Sequence, residues 1–376
     1  MNISNGLEDV YIKNTSITFI DGEKGILRYR GYDIHELAEN CTFEEVAYLM
    51  IFGELPSRNE LVSFSGTVQK SFSLPSYVLN VIDALPQDAD ILSVFETAFA
   101  AFSSEERNFS WSREATLAKA PEILGHAAAV LAAAYRHSQG LKYNPPPASD
   151  SYAKSFLSAS FGAVPERKIV DAMNRSLVLY ADHEVPASTT AALVASSTLS
   201  DMYSSIAAAV AALRGPLHGG AAEAAYRQFT EIGRAENTDE WFSKNIIQGK
   251  KRLMGFGHRV YRTYDPRMAI FKSMAASLAK DEEERNLLRI AERLERLGVE
   301  KFSPKGIYPN TDFYSGIAFR CIGFPVTMFT SLFALSRTAG WIAHMSEYVE
   351  NGGRIMRPRA VYIGHGPREL PGEKAR

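Results

Sequence analysis

The pattern of apolar and polar residues predicts a protein built mostly from helices. After residue 40, apolar side chains recur at the spacing that places them on one face of an α-helix. Two of these segments begin with a capping box: Thr42 with Glu45, and Ser57 with Glu60. In each pair the hydroxyl residue caps the helix and the glutamate reaches back to it. The sequence therefore predicts helices that start just after residues 42 and 57.

Further helices are expected where the helical pattern extends over a longer run. Alanine-rich segments that are apolar on most faces predict helices buried among other helices. Two segments of this kind are 91–102 and 122–137. Helices are also predicted over 166–180 and 188–213. The segment 281–297 has leucines at helical spacing under a dense charged face, which predicts a solvated outer helix. The most apolar long run, 324–345, contains Arg337 and His344, which favours a buried helix over a membrane span.

Only residues 16–32 show a convincing strand pattern. Apolar and polar residues alternate there on both sides of Asp21-Gly22 and Gly25, which predicts a short hairpin with a glycine-bearing turn. The expected fold is thus mostly α, with a small N-terminal β-hairpin. Glycine-rich breaks at 215–220 and 323–325 separate strongly helical runs, so the segment between them is expected to form an inserted smaller domain.

Composition narrows the class of protein. The chain has 376 residues, 46% hydrophobic and 22% charged, with a net charge of −2. This balance gives no electrostatic bias toward nucleic acid or a membrane surface. Two cysteines, Cys41 and Cys321, provide neither a disulfide framework nor a CxxC metal site, and the start of the chain lacks a targeting pattern. We therefore expect a soluble enzyme or binding protein of the reducing cytoplasm.

The stretch 253–267, LMGFGHRVYRTYDPR, has a composition suited to a reaction rather than to a helix core. Gly255 and Gly257 allow a positive φ or a close approach of the backbone to a ligand. His258 and the nearby arginines offer proton transfer and anion pairing. A basic surface turn would explain the stretch equally well. Similar stretches around His218 and Asp312 favour an active-site loop.

His218 and Asp312 each precede or begin a predicted helix. The positive end of a helix dipole disfavours the imidazolium, so His218 is predicted to be a neutral N–H donor able to stabilise an enol oxygen. A capping role explains it equally well. Asp312 is by default an N-cap or first-turn acid, but its neighbours Phe313 and Tyr314 would raise its proton affinity. As a base for a carbon acid it would need a partner such as His218 to stabilise the enolate.

Arginines supply the candidate anion site. Arg267 follows an Asp-Pro turn, Arg337 lies in an apolar run, and Arg357 and Arg359 flank a proline. A buried arginine is costly without an anion, so Arg337 is the most informative, although an internal ion pair with Glu347 or another acid is a competing explanation. Together with the histidines, these arginines suit a dicarboxylate substrate.

The other histidines carry weaker signals. His183 ends a predicted helix just before a proline, where the helix dipole alone could explain it. His344 follows Arg337 by seven residues on the same predicted helix, and packing is its default role. No supporting context surrounds the remaining four, which are His35, His126, His137 and His365.

Five motifs in this order resemble those of citrate synthases, above all the short form of archaea and many bacteria. They are GPLHGG around His218, MGFGHRVYRTYDPR around His258, PNTDFYSG around Asp312, LFALSRTAGW around Arg337 and RPRAVY around Arg357. The similarity extends from GLEDV near the N-terminus through LYADHEVPAS and covers nearly the whole chain. It implies a homodimer whose subunits have a large helical domain, 1–216 and 321–376, and a small one, 217–320.

The resemblance also implies roles for individual residues. Asp312 would remove the methyl proton of acetyl-CoA while His218 donates to the thioester oxygen. His258 would polarise the ketone of oxaloacetate, giving citryl-CoA, which is hydrolysed to citrate and CoA. The implied oxaloacetate-binding residues are His183, Arg267, Arg337, Phe333 and, from the neighbouring subunit, Arg357. The implied CoA-binding residues are Gly255, Phe256, Gly257, Arg262 and Lys305. No metal or cofactor is implied, because the CoA thioester is a substrate.

Two alternatives remain within this resemblance. A 2-methylcitrate synthase would use the same residues on propionyl-CoA, and one methylene changes binding by only about 1–3 kcal/mol. A non-catalytic CoA-binding homologue would be expected to lack Asp312 or His218, and both are present. Enzymes of other classes fit less well: the GxGxx pattern at Gly255 fails at Val260, and the sequence contains no GxSxG.

Overall fold

Helices account for nearly all the regular structure, as the apolar periodicity predicts. The structure, a computed structural model, describes residues 3–7, 10–106 and 109–370. Within these ranges the α-helices are α1 (Ile34–Asn40), α2 (Phe43–Phe52), α3 (Arg58–Lys70), α4 (Ser76–Ala84), α5 (Ile91–Phe102), α6 (Arg113–Ser138), α7 (Tyr152–Phe161), α8 (Arg167–Tyr180), α9 (Ala187–Ser196), α10 (Met202–Leu213), α11 (Ala221–Ile232), α12 (Thr238–Phe242), α13 (Met268–Leu278), α14 (Glu282–Phe302), α15 (Asp312–Ile322) and α16 (Phe329–Glu350).

Both predicted capping boxes are present. At the start of α2, the Glu45 backbone N–H donates to the Thr42 hydroxyl, and the Thr42 N–H donates to the Glu45 carboxylate at 2.7 Å. Ser57 and Glu60 make the same reciprocal pair at the start of α3, where the Ser57 N–H donates at 2.8 Å. Each box provides acceptors for two backbone N–H groups that have no partner within the helix, and it therefore fixes where the helix begins.

The predicted hairpin is confirmed, and a third short strand extends it. Strands β1 (Thr18–Asp21), β2 (Ile26–Tyr29) and β3 (Tyr32–Asp33) form one antiparallel sheet in the order β1-β2-β3. The third strand follows a tight turn in which Gly31 has a φ of 91°. Such a turn has no period-two signal, which is why the alternating pattern revealed only the first two strands.

The turn of this hairpin lies against the stretch 253–267. The Arg262 backbone N–H donates to the Gly22 carbonyl at 2.9 Å. A Cβ atom at Gly22 would lie 2.2 Å from the Val260 carbonyl oxygen, so only glycine allows the two backbones to come this close. The hairpin therefore braces the loop that follows His258.

The prediction of one helix over 188–213 is wrong, because this segment forms α9 and α10. The chain turns between them at Leu199, which has a φ of 64°. Asp201 then caps α10 by accepting a hydrogen bond from the Ser204 N–H at 2.9 Å. An apolar, small-residue pattern runs through the break, so periodicity alone did not reveal the turn.

Helices α6 and α16 form the centre of the core. The apolar run 324–345 does form a buried helix, although α16 begins only at Phe329. Helix α16 is buried along nearly its whole length and packs against α2, α6, α8, α9 and α10. By length and hydropathy α6 could cross a membrane, but 78% of its apolar window is buried inside the protein. It is a core helix.

Helices α11 to α15 pack largely on one another. Helix α13 and α11 both lie against α15, and α12 lies against α14. These helices cover most of the segment 217–320 that we expect to form the smaller domain. The division of the chain into 1–216 with 321–376 and 217–320 stays a prediction.

Candidate active site

A cleft of about 1380 Å³ opens between the turn before α11 and the stretch 253–267. Among the residues predicted to have a function, those that line it are His218, Phe256, Gly257, His258 and Arg262. Its opposite wall comes from the segment Val185-Pro186-Ala187, where α9 begins. Two of the three predicted catalytic residues thus face the same cleft.

The ring of His258 is held in one tautomer. Its Nδ1 atom accepts hydrogen bonds from the backbone N–H groups of Val260 at 3.0 Å and Tyr261 at 3.2 Å. The ring proton must therefore reside on Nε2. Burial lowers the pKa of His258 to about 4, with Asp265 opposing this shift and Arg267 adding to it. At neutral pH His258 is an uncharged N–H donor, as expected for a group that polarises a carbonyl.

His218 is also neutral, but for a different reason from the one that the sequence suggested. Burial, followed by the nearby Arg337 charge, lowers the pKa of His218 to about 4. Its Nε2 atom lies 2.9 Å from Ser188 Oγ. The Trp341 indole N–H donates to that oxygen at 3.3 Å, and the serine can at the same time donate its own proton to Nε2. This arrangement favours a proton on Nδ1 of His218.

The glycine loop of the cleft is tied to the segment that leads into α15. Gly255 and Gly257 have φ angles of 76° and 85°. The Asn310 N–H donates to the Gly255 carbonyl at 2.9 Å, and the Gly257 N–H donates to the Tyr308 carbonyl at 2.8 Å. A Cβ atom at Gly255 would lie 2.8 Å from the Phe313 ring. Both glycines are therefore required by the backbone path and by close packing.

Asp312 is the first residue of α15 and is not among the residues that line the cleft. Its Oδ1 atom accepts a hydrogen bond from the Tyr180 hydroxyl at 2.7 Å. Burial raises the pKa of Asp312, and the Tyr180 hydrogen bond and the charge of Arg267 partly oppose this. The direction agrees with the sequence-based expectation, and it makes the carboxylate a stronger base than an exposed aspartate.

Two buried arginines lie close to these groups. Arg267 makes a two-pronged ion pair with Asp265: Nε donates to Oδ1 at 2.9 Å and Nη2 to Oδ2 at 2.7 Å. Arg337 donates from Nε to the Tyr180 carbonyl at 2.9 Å, and its guanidinium lies 4.5 Å from the centre of the Phe333 ring. The alternative of an ion pair between Arg337 and Glu347 is wrong.

Glu347 instead belongs to a network behind Arg337. Lys13 Nζ lies 2.6 Å from the Glu347 carboxylate and 3.2 Å from His344 Nδ1. The other ring nitrogen of His344 lies 3.0 Å from Asp182 Oδ2, so His344 does more than pack. Asp182 precedes His183 in the chain and therefore helps to hold that residue in place.

His183 lies beside His258. The two rings meet edge to face with their centres 5.0 Å apart, and His183 Nε2 lies 3.1 Å from the Tyr261 hydroxyl. Burial, and after it the charge of Arg267, keeps the pKa of His183 well below its usual value. The structure thus brings His183, His258 and Arg267 together, as a common binding site for one anion requires.

Comparison with known proteins agrees with this geometry. The sequence matches the model of one protein family, "Citrate synthase, C-terminal domain", over residues 6–359. The citrate synthase of Saccharolobus solfataricus is 54% identical over 363 residues, which cover 96% of each chain. The chain belongs to the citrate synthase family. Its activity is that of a citrate synthase, a transferase.

Solved citrate synthase structures have the same fold. The structure of the Thermoplasma acidophilum citrate synthase, a ternary complex with carboxymethyl coenzyme A and oxaloacetate, superimposes with a TM-score of 0.95. It is 51% identical, with all of both chains covered. A 2-methylcitrate synthase of Mycobacterium tuberculosis is less similar, at 37% identity over 371 residues that cover 99% of this chain and 93% of that one.

Of the predicted site residues that do not line the cleft, Lys305 and Arg357 are exposed at the protein surface. Lys305 is exposed in a short turn, Ser303–Lys305, although the next residue, Gly306, packs close to the Arg262 backbone. Arg357 is exposed in the segment after α16. Its place in the site of a second subunit stays a prediction.

Sequence reasoning missed three cations that line the cleft. Lys250, Lys251 and Arg252 directly precede Leu253 and lie in its wall together with Arg262. The signal was the basic run GKKR immediately before the stretch 253–267. A run of like charges usually lies on a solvated surface. Only its position beside the glycine loop of the cleft indicates that this run binds a ligand.

Proposed function

We propose that the chain condenses acetyl-CoA with oxaloacetate, with Asp312 as the base and His218 and His258 as donors to the two reacting oxygens. Asp312 takes a proton from the methyl group of acetyl-CoA while His218 donates a hydrogen bond to the thioester oxygen. The resulting enol or enolate carbon attacks the ketone carbon of oxaloacetate, and His258 Nε2–H donates to the ketone oxygen. Water then hydrolyses citryl-CoA to citrate and CoA.

The observation that carries this proposal is the state of the two histidines. Both are neutral N–H donors with a pKa lowered to about 4, and both face one cleft. A neutral donor stabilises a developing oxyanion without first giving up a full proton, which suits an enolate intermediate. The Asp312 carboxylate has a raised pKa and feels the charge of Arg267, which also acts on His258, and the charge of Arg337, which also acts on His218.

Oxaloacetate is proposed to bind to His183, Arg267, Arg337 and Phe333, and to Arg357 of a second subunit. Support for the homodimer comes from the segment after α16, which has no regular structure and exposes large apolar side chains. These include Val361, Tyr362 and Ile363, which are 47%, 78% and 93% exposed. Apolar side chains in such a segment are best explained by packing on another chain.

CoA is proposed to bind along the glycine loop Gly255-Phe256-Gly257, with its phosphates near Arg262, Lys305 and the basic run 250–252. Four of these cations line the cleft and carry positive charge to a site that a phosphate ester would occupy. We propose no metal or cofactor. The two cysteines are free, in keeping with the proposed cytoplasmic location.

The Asp312→Asn variant tests the assignment of the base. Release of the free CoA thiol, measured with acetyl-CoA and oxaloacetate, should show a kcat about 10²- to 10⁴-fold lower, because general-base catalysis contributes that much. Binding of oxaloacetate should persist. Near-normal turnover would remove Asp312 from this role.

Mixed subunits test the shared site. Asp312→Asn and Arg357→Ala homodimers should each have low activity. After exchange of subunits, a heterodimer contains one site with both natural residues, provided that Arg357 acts across the interface. Recovered activity supports the shared site. If the mixture stays as inactive as its parts although heterodimers have formed, Arg357 acts within its own subunit.

Acetyl-CoA is proposed as the preferred thioester over propionyl-CoA, because the more similar relatives are citrate synthases. The ratio of kcat/KM for the two thioesters decides this point. A strong preference for propionyl-CoA would assign the chain to 2-methylcitrate synthesis instead.

A further inference from the structure

Tyr180, the last residue of α8, is bonded directly to the proposed base. It is buried, with only 1% of its surface exposed, and its hydroxyl lies 2.7 Å from Asp312 Oδ1 and 2.8 Å from Ser315 Oγ. A carboxylate can only accept, so the single hydroxyl proton of Tyr180 goes to Asp312. The serine hydroxyl then donates to the tyrosine oxygen, which makes Tyr180 a stronger donor.

The backbone and ring of the same residue contact the proposed oxaloacetate site. The Tyr180 carbonyl accepts the Nε–H of Arg337 at 2.9 Å. Its ring meets the Phe333 ring edge to face, with the centres 4.8 Å apart. The Arg337 guanidinium lies over the same Phe333 ring, 4.5 Å from its centre. One residue therefore connects the group that would activate one substrate with the group that would hold the other.

We propose that Tyr180 is a positioning residue that fixes both Asp312 and Arg337. The proposal rests on the proposed role of Asp312 as the base. The Tyr180 hydroxyl holds Oδ1 of Asp312, which leaves Oδ2 of Asp312 to face the methyl group of the thioester. A base works only within hydrogen-bond reach of the proton that it removes, so the orientation of the carboxylate controls the rate. The rigid contact with Arg337 keeps the two substrates at one spacing.

The hydroxyl also sets how basic Asp312 is. Burial raises the pKa of Asp312; the Tyr180 hydrogen bond and the charges of Arg267 and Arg337 lower it, and Asp265 raises it. Removal of the hydroxyl leaves burial less opposed, so the pKa of Asp312 rises further. The base then becomes protonated at a higher pH than in the natural enzyme, and the acidic limb of the kcat profile moves to higher pH.

The test compares Tyr180→Phe with Tyr152→Phe in the full-length enzyme. Tyr152 is a matched control, because it is equally buried and its hydroxyl donates to the Leu124 carbonyl at 2.9 Å, within the core formed by α6 and α7. We expect kcat of Tyr180→Phe at pH 6 to fall about 10-fold, with its acidic limb at higher pH. The KM for oxaloacetate should change less than about twofold, because the carbonyl that holds Arg337 is retained.

Three outcomes would overturn the proposal. The first is a Tyr180→Phe enzyme with the acidic limb of the natural one. The second is an equal shift in Tyr152→Phe, which would reveal a general effect of losing a buried hydroxyl. The third concerns Ser315→Ala, which removes the donor to Tyr180 and should shift the limb in the same direction by less. An unchanged limb there, together with a Tyr180→Phe protein that does not fold, counts against the proposal.

The Asp312→Asn variant separates this inference from the role on which it rests. Substantial activity in Asp312→Asn would mean that Asp312 is not the base, and both proposals would fail. An inactive Asp312→Asn enzyme with an unshifted Tyr180→Phe profile would leave the base in place and refute only the role of Tyr180.

Discussion

Arg267 and Arg337 are both buried and both proposed to bind oxaloacetate, but their surroundings differ. Each is 2% exposed. Arg267 is bonded twice to a carboxylate of its own, Asp265, at 2.7 and 2.9 Å. Arg337 donates to a backbone carbonyl and lies over an aromatic ring instead. Burial lowers the pKa of both, yet that of Arg267 is raised overall because of Asp265, whereas that of Arg337 stays below its ordinary value.

The difference separates a structural charge from an available one. In a buried ion pair with good geometry, the attraction between the two charges offsets the cost of removing them from water. A buried guanidinium without a bonded carboxylate lacks this attraction, so it is stabilised most when an anion binds. Arg337 should therefore supply more of the affinity for the oxaloacetate dianion. Arg267 should mainly hold the stretch 253–267 in the shape that presents His258.

The largest expected effect is the loss of stability in Arg267→Met. This change leaves Asp265 as a buried carboxylate without its partner, which costs about 3–5 kcal/mol. Denaturant unfolding at one fixed protein concentration measures the change. The double variant Asp265→Asn with Arg267→Met removes the unpaired charge and should recover most of the loss. A double variant as unstable as the single one would contradict the view that Asp265 is the cause.

Arg337→Met should have the opposite balance. No carboxylate is bonded to Arg337 among the described residues, so the free energy of unfolding should change by only about 1 kcal/mol. The KM for oxaloacetate should rise about 100-fold, since a charge-assisted contact to the dianion is lost. Steady-state kinetics with both substrates varied provides the measurement. A large loss of stability with an unchanged KM would mean that the two arginines have exchanged roles.

This contrast shows what the sequence could and could not predict. The apolar run around Arg337 was enough to predict a buried arginine in need of an anion, and the motifs around it were enough to predict the family. The sequence did not reveal that Asp265 pairs with Arg267, because residues two apart face each other only when the loop turns back on itself. The Tyr180 contact with Asp312 joins residues 132 positions apart. Such long-range contacts depend on helix packing, which local periodicity does not encode.

The site histidines should give a pH-dependent stability. The folded-state pKa values of His218 and His258 are lowered to about 4, with burial as the main cause in each. Since these values lie below that of an unfolded histidine, the unfolded chain binds more protons as pH falls. Stability is then lost between about pH 6.5 and pH 4, by about 1–2 kcal/mol per histidine at pH 5.

The same experiment compares the two arginines. Arg337 contributes to the low pKa of His218, after burial, so the Arg337→Met variant should lose less stability than the natural protein between pH 7 and pH 5. Unfolding midpoints at the two pH values provide the measurement. His126 shows that burial can have this effect without an arginine: its pKa is also lowered to about 4, chiefly by burial, and Glu122 lies beside it. An Arg337→Met protein with the natural pH slope would show that burial alone keeps His218 neutral.

The smallest expected effect concerns the carboxylate that lies near Arg337 without bonding to it. Asp182 Oδ2 lies 2.5 Å from the Thr18 hydroxyl and 3.0 Å from His344 Nε2, both of which can donate to it. Because both groups hydrogen-bond to the Asp182 carboxylate, its negative charge is satisfied by them rather than by the Arg337 guanidinium. In His344→Leu one donor is lost, and the carboxylate should attract Arg337 away from the substrate, raising the KM for oxaloacetate about threefold. His344→Gln retains an N–H donor and should have a nearly natural KM.

The decisive control is His344→Leu in an Arg337→Met background, where no further rise is expected because the coupled group is gone. If the two changes add independently, Asp182 does not act through Arg337, and the availability of that guanidinium depends on its carbonyl and ring contacts alone.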